Sequence, residues 1–335
     1  MNLELKDKSI LITGATGSFG QAFVRSMLER YPPRRMIIFS RDEFKQFEMQ
    51  RELSGPRLES LRFFIGDVRD RDRLELAMRE VDYVIHAAAL KHVPAAEYNP
   101  MEYIHTNVYG AENVVFAALR AGVKRVVALS TDKAVNPVNL YGASKLAADK
   151  IFVAANNLSG STGTSFAIVR YGNVLGSRGS VVPYFRRLVR EDAKSLPITE
   201  PGMTRFWITL GQGVDFVLSS LAMMAGGEIF VPKIPSMKVV DLARILAPDL
   251  SHRVVGIRPG EKLHEVLITE HDARTTVELD DRYVITPAFF DGASKDYEAL
   301  GGSPVAEGFR YTSDTNPEWL DGEAMQRLLD EIPDD

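Results

Sequence analysis

Tyr141 and Lys145 stand four residues apart, so they share one face if the chain there is helical. An ammonium beside a phenol favours the phenolate. Such a pair can take the proton of an alcohol while a hydride leaves the carbon that bears it. Ahead of them come Thr131, Asp132 and Lys133, a hydroxyl, an acid and an amine in succession. Tyr-x-x-x-Lys alone arises often by chance, and its weight depends on what precedes it. Near the start, Ser9-Ile10-Leu11-Ile12-Thr13 runs into Gly14-Ala15-Thr16-Gly17-Ser18-Phe19-Gly20, and an amphipathic segment follows. Glycines there permit a tight turn, close approach of a pyrophosphate and close packing of helix on strand. The helix N-terminus adds free N–H groups and a positive dipole end. The Gly-x-x-Gly-x-x-Gly spacing departs from the commonest dinucleotide fingerprint, but strand, loop and helix come in the required order.

The next apolar run ends in Ser40-Arg41-Asp42, about 20 residues after the loop, where an NAD site presents a carboxylate to the ribose. A small Ser followed by Arg suits the 2′-phosphate of NADP; Asp42 serving NAD is the competing arrangement. Asp67 and Val68 are placed to meet an adenine. Ala87, Ala88 and Ala89 would let a cofactor lie against the backbone.

These groups need a frame. Apolar runs read as strands at 9–13, 35–39, 61–65, 82–87, 125–130 and 165–170. They are continuously apolar, as in strands buried on both faces of a parallel sheet. Helical patterns fall between them, at 19–31, 101–121 and 140–157. Strand–helix alternation predicts an α/β fold, a Rossmann-type doubly wound parallel sheet. After about Tyr171 the rhythm breaks and Gly and Pro become frequent. The expectation is an NADP-binding Rossmann domain over 1–170 and a smaller C-terminal substrate-binding domain over 171–335. Segments near 205–231 would return to the first, with a helix at 214–224 and a strand at 229–231. Asp67 to Arg73 reads as a solvated loop and first helical turn. Asn316-Pro317 reads as a helix N-cap with Pro at the first helical position. The stretch from about 287 to 308 carries no signal.

Composition narrows the class. The 335 residues hold 40 Lys+Arg and 45 Asp+Glu, net −5, which argues against a nucleic-acid binder. With 45% hydrophobic residues a substantial core is expected. There is no cysteine, so no disulfide and no thiol nucleophile, as suits a reducing cytoplasm. His86, His92, His105, His252, His264 and His271 lack metal-ligand spacing, and no metal is expected. The charged start and the broken apolar stretch near 216–231 predict neither a targeting segment nor a membrane span.

Together the glycine loop, Thr131-Asp132-Lys133 and Tyr141/Lys145 resemble the extended short-chain dehydrogenase/reductase superfamily. The sharper resemblance is to nucleotide-sugar 4,6-dehydratases. Retaining dTDP-glucose dehydratases carry Thr-Asp-Glu. Thr-Asp-Lys followed by Ala134-Val135-Asn136-Pro137-Val138-Asn139-Leu140-Tyr141-Gly142-Ala143-Ser144-Lys145 looks like the UDP-N-acetylglucosamine 4,6-dehydratases. Membrane-anchored members tend to have Met for the Tyr, so this chain is most similar to the soluble inverting enzymes that open the pseudaminic acid pathway. The resemblance runs from about Ser9 to Glu265.

It implies further roles. Lys91 and Asn173 would face the sugar, and Val174 would lie against nicotinamide. Arg205 and Arg258 would clamp the diphosphate or uridine, with Glu261 beside them. NADP would stay tightly bound and be regenerated each cycle, the partner would be a UDP-sugar, and the long helices would make at least a homodimer. In such a cycle Tyr141 takes the C4 hydroxyl proton as hydride passes from C4 to NADP, with Thr131 on the C4 oxygen. Lys133, lowered toward about 7–8, removes the C5 proton, and Asp132 protonates the departing C6 hydroxyl. An epimerase shares the fold and the Tyr/Lys pair but has no use for Asp132-Lys133. A non-catalytic NADP-sensing module would have lost the pair.

Overall fold

Strand cores without polar interruption set the layout of the first half. The structure, a computed structural model, describes residues 5–53, 56–288 and 296–332. β1 (Ser9–Thr13), β2 (Arg35–Ser40), β3 (Leu61–Ile65), β4 (Tyr83–His86), β5 (Arg125–Thr131) and β6 (Ser165–Tyr171) lie parallel in the order β3-β2-β1-β4-β5-β6. Leu11 of β1 stands between Ile37 and Val84. Side chains alternate across the sheet. Ile10 and Ile12 therefore enter a core with Phe23, Met27 and Phe230, while Leu11 enters the opposite one with Val84, Phe152 and Phe166. Both faces are covered, as a parallel sheet requires.

The helices between strands supply these cores. α1 (Ser18–Arg30) buries Phe23, Val24 and Met27. α2 (Glu43–Glu52) and α3 (Arg71–Ala77) open on Asp42 and Asp70, whose carboxylates accept from Lys45 N and Arg73 N. α4 (Val93–Tyr98) and α5 (Pro100–Tyr103) lead into a π-helical turn at Ile104–Tyr109 and then α6 (Gly110–Ala121). The single helix expected over 101–121 is thus interrupted by a wide turn, a feature found often at functional sites. α7 (Leu140–Ala154) is capped by Asn139, whose Oδ1 accepts from Gly142 N at 2.7 Å.

Beyond β6 the chain leaves the sheet and comes back. Ile229–Pro232 pairs parallel to β6, and the hairpin Thr276–Glu278/Arg282–Ile285 adds antiparallel strands outside it. The helix Leu210–Met223 lies on the α1 side, where Arg30 meets Asp215 at 2.5 Å. Away from the sheet, Thr204–Ile208 pairs with Ser236–Lys238 and with Asn173–Val174. Leu175, Trp207 and Met325 form a separate core there.

One expected element is corrected. Asn316 caps no helix; the last helix is Gly322–Asp330, capped by Asp321. Asn316 is buried, and its amide donates to Ile234 O at 2.8 Å and Ser236 Oγ at 3.0 Å. Satisfying these buried acceptors outweighed the local capping pattern. Of the segment without signal, residues 289–295 lie outside the described residues, as do residues 1–4 of the charged start.

Gly20 shows how tightly α1 is held. A Cβ there would stand 2.5 Å from Ala15 Cα. Gly20→Ala should cost about 1–3 kcal/mol in urea unfolding through overpacking. A variant as stable as the parent would show that the helix seat yields freely.

Candidate active site

The strand order reverses between β1 and β4, and in open α/β sheets ligands settle at the carboxyl ends of strands beside such a reversal. A cleft of about 650 Å³ opens there, within the range of ligand sites. Its walls come from the segments that follow β1, β2, β3, β4, β5 and β6.

At one end lies the glycine loop. Gly14, Thr16, Gly17, Ser18, Phe19 and Gly20 all line the cleft. Gly14 has φ +66°, and a Cβ on it would be 2.8 Å from Ala88 Cα. α1 starts at Ser18 after Gly17, with no side chain capping its first N–H groups and no acid in its first turn. A bare, dipole-positive helix start against small residues fits a dinucleotide diphosphate. Ser40, Arg41, Asp67, Val68, Ala87, Ala88 and Ala89 continue the wall. Thr13 does not line it. Its hydroxyl bonds His86 Nδ1 at 2.9 Å and accepts from Ala88 N at 3.2 Å, so it braces the wall from behind. Ser40 bonds Thr16 through the two hydroxyls, 2.8 Å apart. Arg41 is exposed and loosely tied to Asp67 at 3.7 Å. Lys45, not anticipated, stands with it.

At the other end are Thr131, Lys133, Tyr141 and Lys145, with Asn173, Val174 and Lys91. β5 ends at Thr131, and a 3₁₀ turn at Asp132–Ala134 carries the acid and the amine. The Thr131 hydroxyl donates to Asp132 Oδ1 at 2.9 Å. Lys133 Nζ donates to the same oxygen at 3.0 Å and approaches Asn173 Oδ1 at 3.5 Å. Asp132 has no exposed surface and lies behind the wall. Lys145 Nζ donates to Leu129 O at 2.7 Å. Loop and helix are tied by Asn107 on the π-helical turn. Its side chain bonds both Leu90 N and Leu90 O and donates to Ser144 Oγ at 2.9 Å.

The charge states differ from those expected. Burial pushes the Tyr141 phenol up to about 12, and the Lys133 charge and the Thr131 hydrogen bond only partly oppose it. Burial lowers Lys145, with Asp149 pulling the other way. Lys133 is not lowered toward neutrality. Burial favours its neutral amine, but the Asp132 and Glu265 carboxylates outweigh burial and hold the ammonium above its ordinary range. Glu265, 2% exposed, reaches Lys133 at 3.5 Å and Arg205 at 3.6 Å. Lys91 is held low by desolvation and by Lys133.

The remaining expected contacts fall away from the cleft wall. Arg205 is buried and donates to the carbonyls of Thr204, Lys262 and Leu263. Arg258 and Glu261 pair with each other. Among residues not anticipated, Ser177 and Arg178 line the cleft beside the glycine loop, and Arg178 N donates to Ser18 Oγ at 3.0 Å. No cluster of metal-ligating side chains exists among the described residues.

Comparison with known proteins fits this geometry. A polysaccharide biosynthesis protein family matches residues 10–287. The chain is 57% identical over 327 residues to a UDP-N-acetylglucosamine 4,6-dehydratase (inverting) of Campylobacter jejuni, covering 96% of this chain and 97% of that one. It is 42% identical over 330 residues to a UDP-glucose 4-epimerase of Rickettsia canadensis, covering 96% and 95%. The structure of DesIV, a dTDP-glucose 4,6-dehydratase from Streptomyces venezuelae with NAD bound, superposes with TM-score 0.68 at 26% identity, covering 76% and 86%.

His86 behind the wall gives a pH signature. Burial, with the Lys145 charge adding to it, lowers its pKa to about 3, against about 6.5 in an unfolded chain. Stability from this group is complete above about 6.5 and falls as pH drops toward 3, by about 1.4 kcal/mol per unit. Urea unfolding between about pH 6 and 4.5 should show a shallower slope for His86→Gln than for the parent. Equal slopes would mean that His86 protonates in the fold.

Proposed function

The chain belongs to the polysaccharide biosynthesis protein family of extended short-chain dehydrogenases/reductases, and on that premise we propose that it is a UDP-N-acetylglucosamine 4,6-dehydratase that inverts C5. One observation carries the reading. An acid and an amine, Asp132 and Lys133, are joined at 3.0 Å beside the Tyr141 phenol at the end of a dinucleotide-shaped cleft. The product is UDP-2-acetamido-2,6-dideoxy-β-L-arabino-hex-4-ulose plus water.

When bound, the nicotinamide cofactor supplies the acceptor for the C4 hydride and returns that hydride to C6, ending each cycle as it began. Tyr141 rests as a phenol, so it must first release its own proton; as the phenolate it then takes the C4 hydroxyl proton, and Thr131 holds the C4 oxygen. The 4-ketone acidifies the C5 hydrogen. Lys133 rests as an ammonium, so it must lose a proton before it can act as base. Asp132 Oδ1 is the adjacent acceptor. Transfer within the pair yields a neutral amine and a carboxylic acid together, which are the base and acid that elimination needs. The amine takes the C5 proton. The acid's proton reaches the C6 hydroxyl through Thr131, which bonds Asp132, and water leaves. Both groups are then back in their resting states. A proton delivered to the opposite face of C5 gives inversion.

Ser40, Arg41 and Lys45 favour NADP over NAD, since two cations flank a small side chain where an NAD site would present a carboxylate. Residues 1–170 hold the cofactor and 171–335 the sugar, with the stretch near 205–231 returning to the sheet. Lys91 and Asn173 face the sugar, and Val174 lies against nicotinamide. Arg258 reaches the diphosphate or uridine only if its pair with Glu261 opens. The exposed Tyr98, Met101 and Tyr109 suit self-association into at least a dimer. The cytoplasm, the pseudaminic acid pathway and a UDP-sugar partner complete the reading. An epimerase would make no use of the Asp132–Lys133 pair.

Two results are expected. Arg41→Ala should weaken NADP binding to apoprotein by about 1–3 kcal/mol and leave NAD binding nearly unchanged; equal weakening of both would remove Arg41 from 2′-phosphate recognition. Lys133→Ala should reduce water loss from UDP-N-acetylglucosamine at least about a hundredfold while single-turnover NADPH absorbance persists. Tyr141→Phe should suppress that absorbance. The parent enzyme should give the L-arabino product first, read by early proton NMR couplings. A D-xylo product appearing first, or the two variants behaving the other way round, would overturn these assignments.

A further inference from the structure

Glu265 has no part in the chemistry derived so far, yet it is the carboxylate on which the cations of the site converge. It follows the loop that carries Arg258 and Glu261 and precedes the strand Val266–Ile268. Its Oε1 lies 3.5 Å from Lys133 Nζ and 3.6 Å from Arg205 Nε, and its Oε2 lies 3.9 Å from Lys262 Nζ. These are ion pairs rather than tight hydrogen bonds, and Oε2 is buried without a hydrogen-bond partner. Its backbone is fixed on both sides. Glu265 N donates to Ser313 Oγ and Ser313 N donates to Glu265 O, each at 2.9 Å. A carboxylate 2% exposed is placed against Lys133 by backbone bonds and left short of full satisfaction.

We propose that Glu265 is a positioning residue for Lys133: its carboxylate holds the amine at the cleft wall and sets how readily Lys133 gives up and regains its proton during elimination. The inference rests on Lys133 acting as the C5 base. The charged and titratable groups around Lys133 come from several elements, with the neutral Asn173 amide beside them. Asp132 comes from its own turn, Tyr141 from α7, Lys91 from the segment after β4, Arg205 from Thr204–Ile208, and Lys262 and Glu265 from the loop and strand beyond. When Asp132 takes the Lys133 proton, Glu265 is the remaining anion among three cations, Arg205, Lys262 and Lys91. Remove its charge and the ammonium loses its second counter-ion. Transfer to Asp132 then becomes easier, and the pair as a whole holds its protons less tightly, so its active protonation state is reached at lower pH.

The test is the pH profile of each half of the reaction in Glu265→Gln and Glu265→Asp, on holoenzyme with UDP-N-acetylglucosamine. Oxidation is read by single-turnover NADPH absorbance, and elimination by deuterium entry at C5 and water loss. In Glu265→Gln the acidic limb of elimination should move down by about one pH unit, with the oxidation limb and KM within about twofold of the parent. Glu265→Asp, which keeps the charge but draws it back by one methylene, should move the same limb in the same direction by less than half as much. If Glu265→Gln does not accumulate folded, Glu265→Asp decides alone: a small acidic displacement of the elimination limb only is expected, and a parent profile overturns the proposal. Equal loss in both half-reactions at every pH would also overturn it, since that is what a purely structural role produces. The Lys133→Ala control separates the two claims. If that variant still eliminates, the reading of the site fails. If it does not, and the Glu265 variants leave the limb in place, only this inference fails.

Discussion

Two carboxylates have been taken out of water at the heart of this molecule, and the arrangement around the cleft follows from finding them partners. Asp132 has no exposed surface and Glu265 2%. A buried charge without a counter-ion costs several kcal/mol, so neither can be housed alone. Lys133, Arg205 and Lys262 answer them, from the turn after β5, from Thr204–Ile208 and from the 258–265 loop. Residues distant along the chain are thereby drawn to the end of one strand. The same charges determine what Lys133 is at rest. Burial favours the neutral amine, but two anions hold it as an ammonium, so the proposed base would have to pass on its proton before acting.

The sheet supplies the second half of the arrangement. The reversal between β1 and β4 opens the cleft, and the glycine loop and β5 reach it from either side, so one frame aligns a nucleotide cradle with the reactive cluster. Several buried polar side chains are spent on holding this frame rather than on chemistry. Thr13 and His86 brace the alanine wall, and Asn107 ties the Leu90 segment to Ser144.

Much of this was legible in the sequence because it is local. β1, the glycine loop and α1 are contiguous, and the apolar strand cores show their double burial without reference to anything else. Tyr141 and Lys145 lie on one helix and both line the cleft, as their spacing suggested. What was not legible depends on distant partners. Nothing near Lys133 in sequence announces Glu265, so the amine was expected to be lowered toward about 7–8 by burial and a neighbouring cation. Arg205 and Arg258 were assigned by resemblance to the diphosphate or uridine, with Glu261 beside them, whereas the fold turns the first toward backbone carbonyls and pairs the other two. Asn316-Pro317 has the letters of a helix start, but the Asn amide is needed by Ile234 and Ser236. The π-helical turn within 101–121 has no Gly or Pro to mark it, so Ile104 to Tyr109 reads as ordinary helix.

On the proposed mechanism, oxidation at C4 and reduction at C6 are halves of one cycle joined by loss of water. UDP-N-acetylglucosamine carrying deuterium on C4 measures this directly. The label should be recovered on C6 of the 4-keto-6-deoxy product, with one water lost. Label returned to C4 with no loss of water would contradict it, and would place the chain among the epimerases that share its fold.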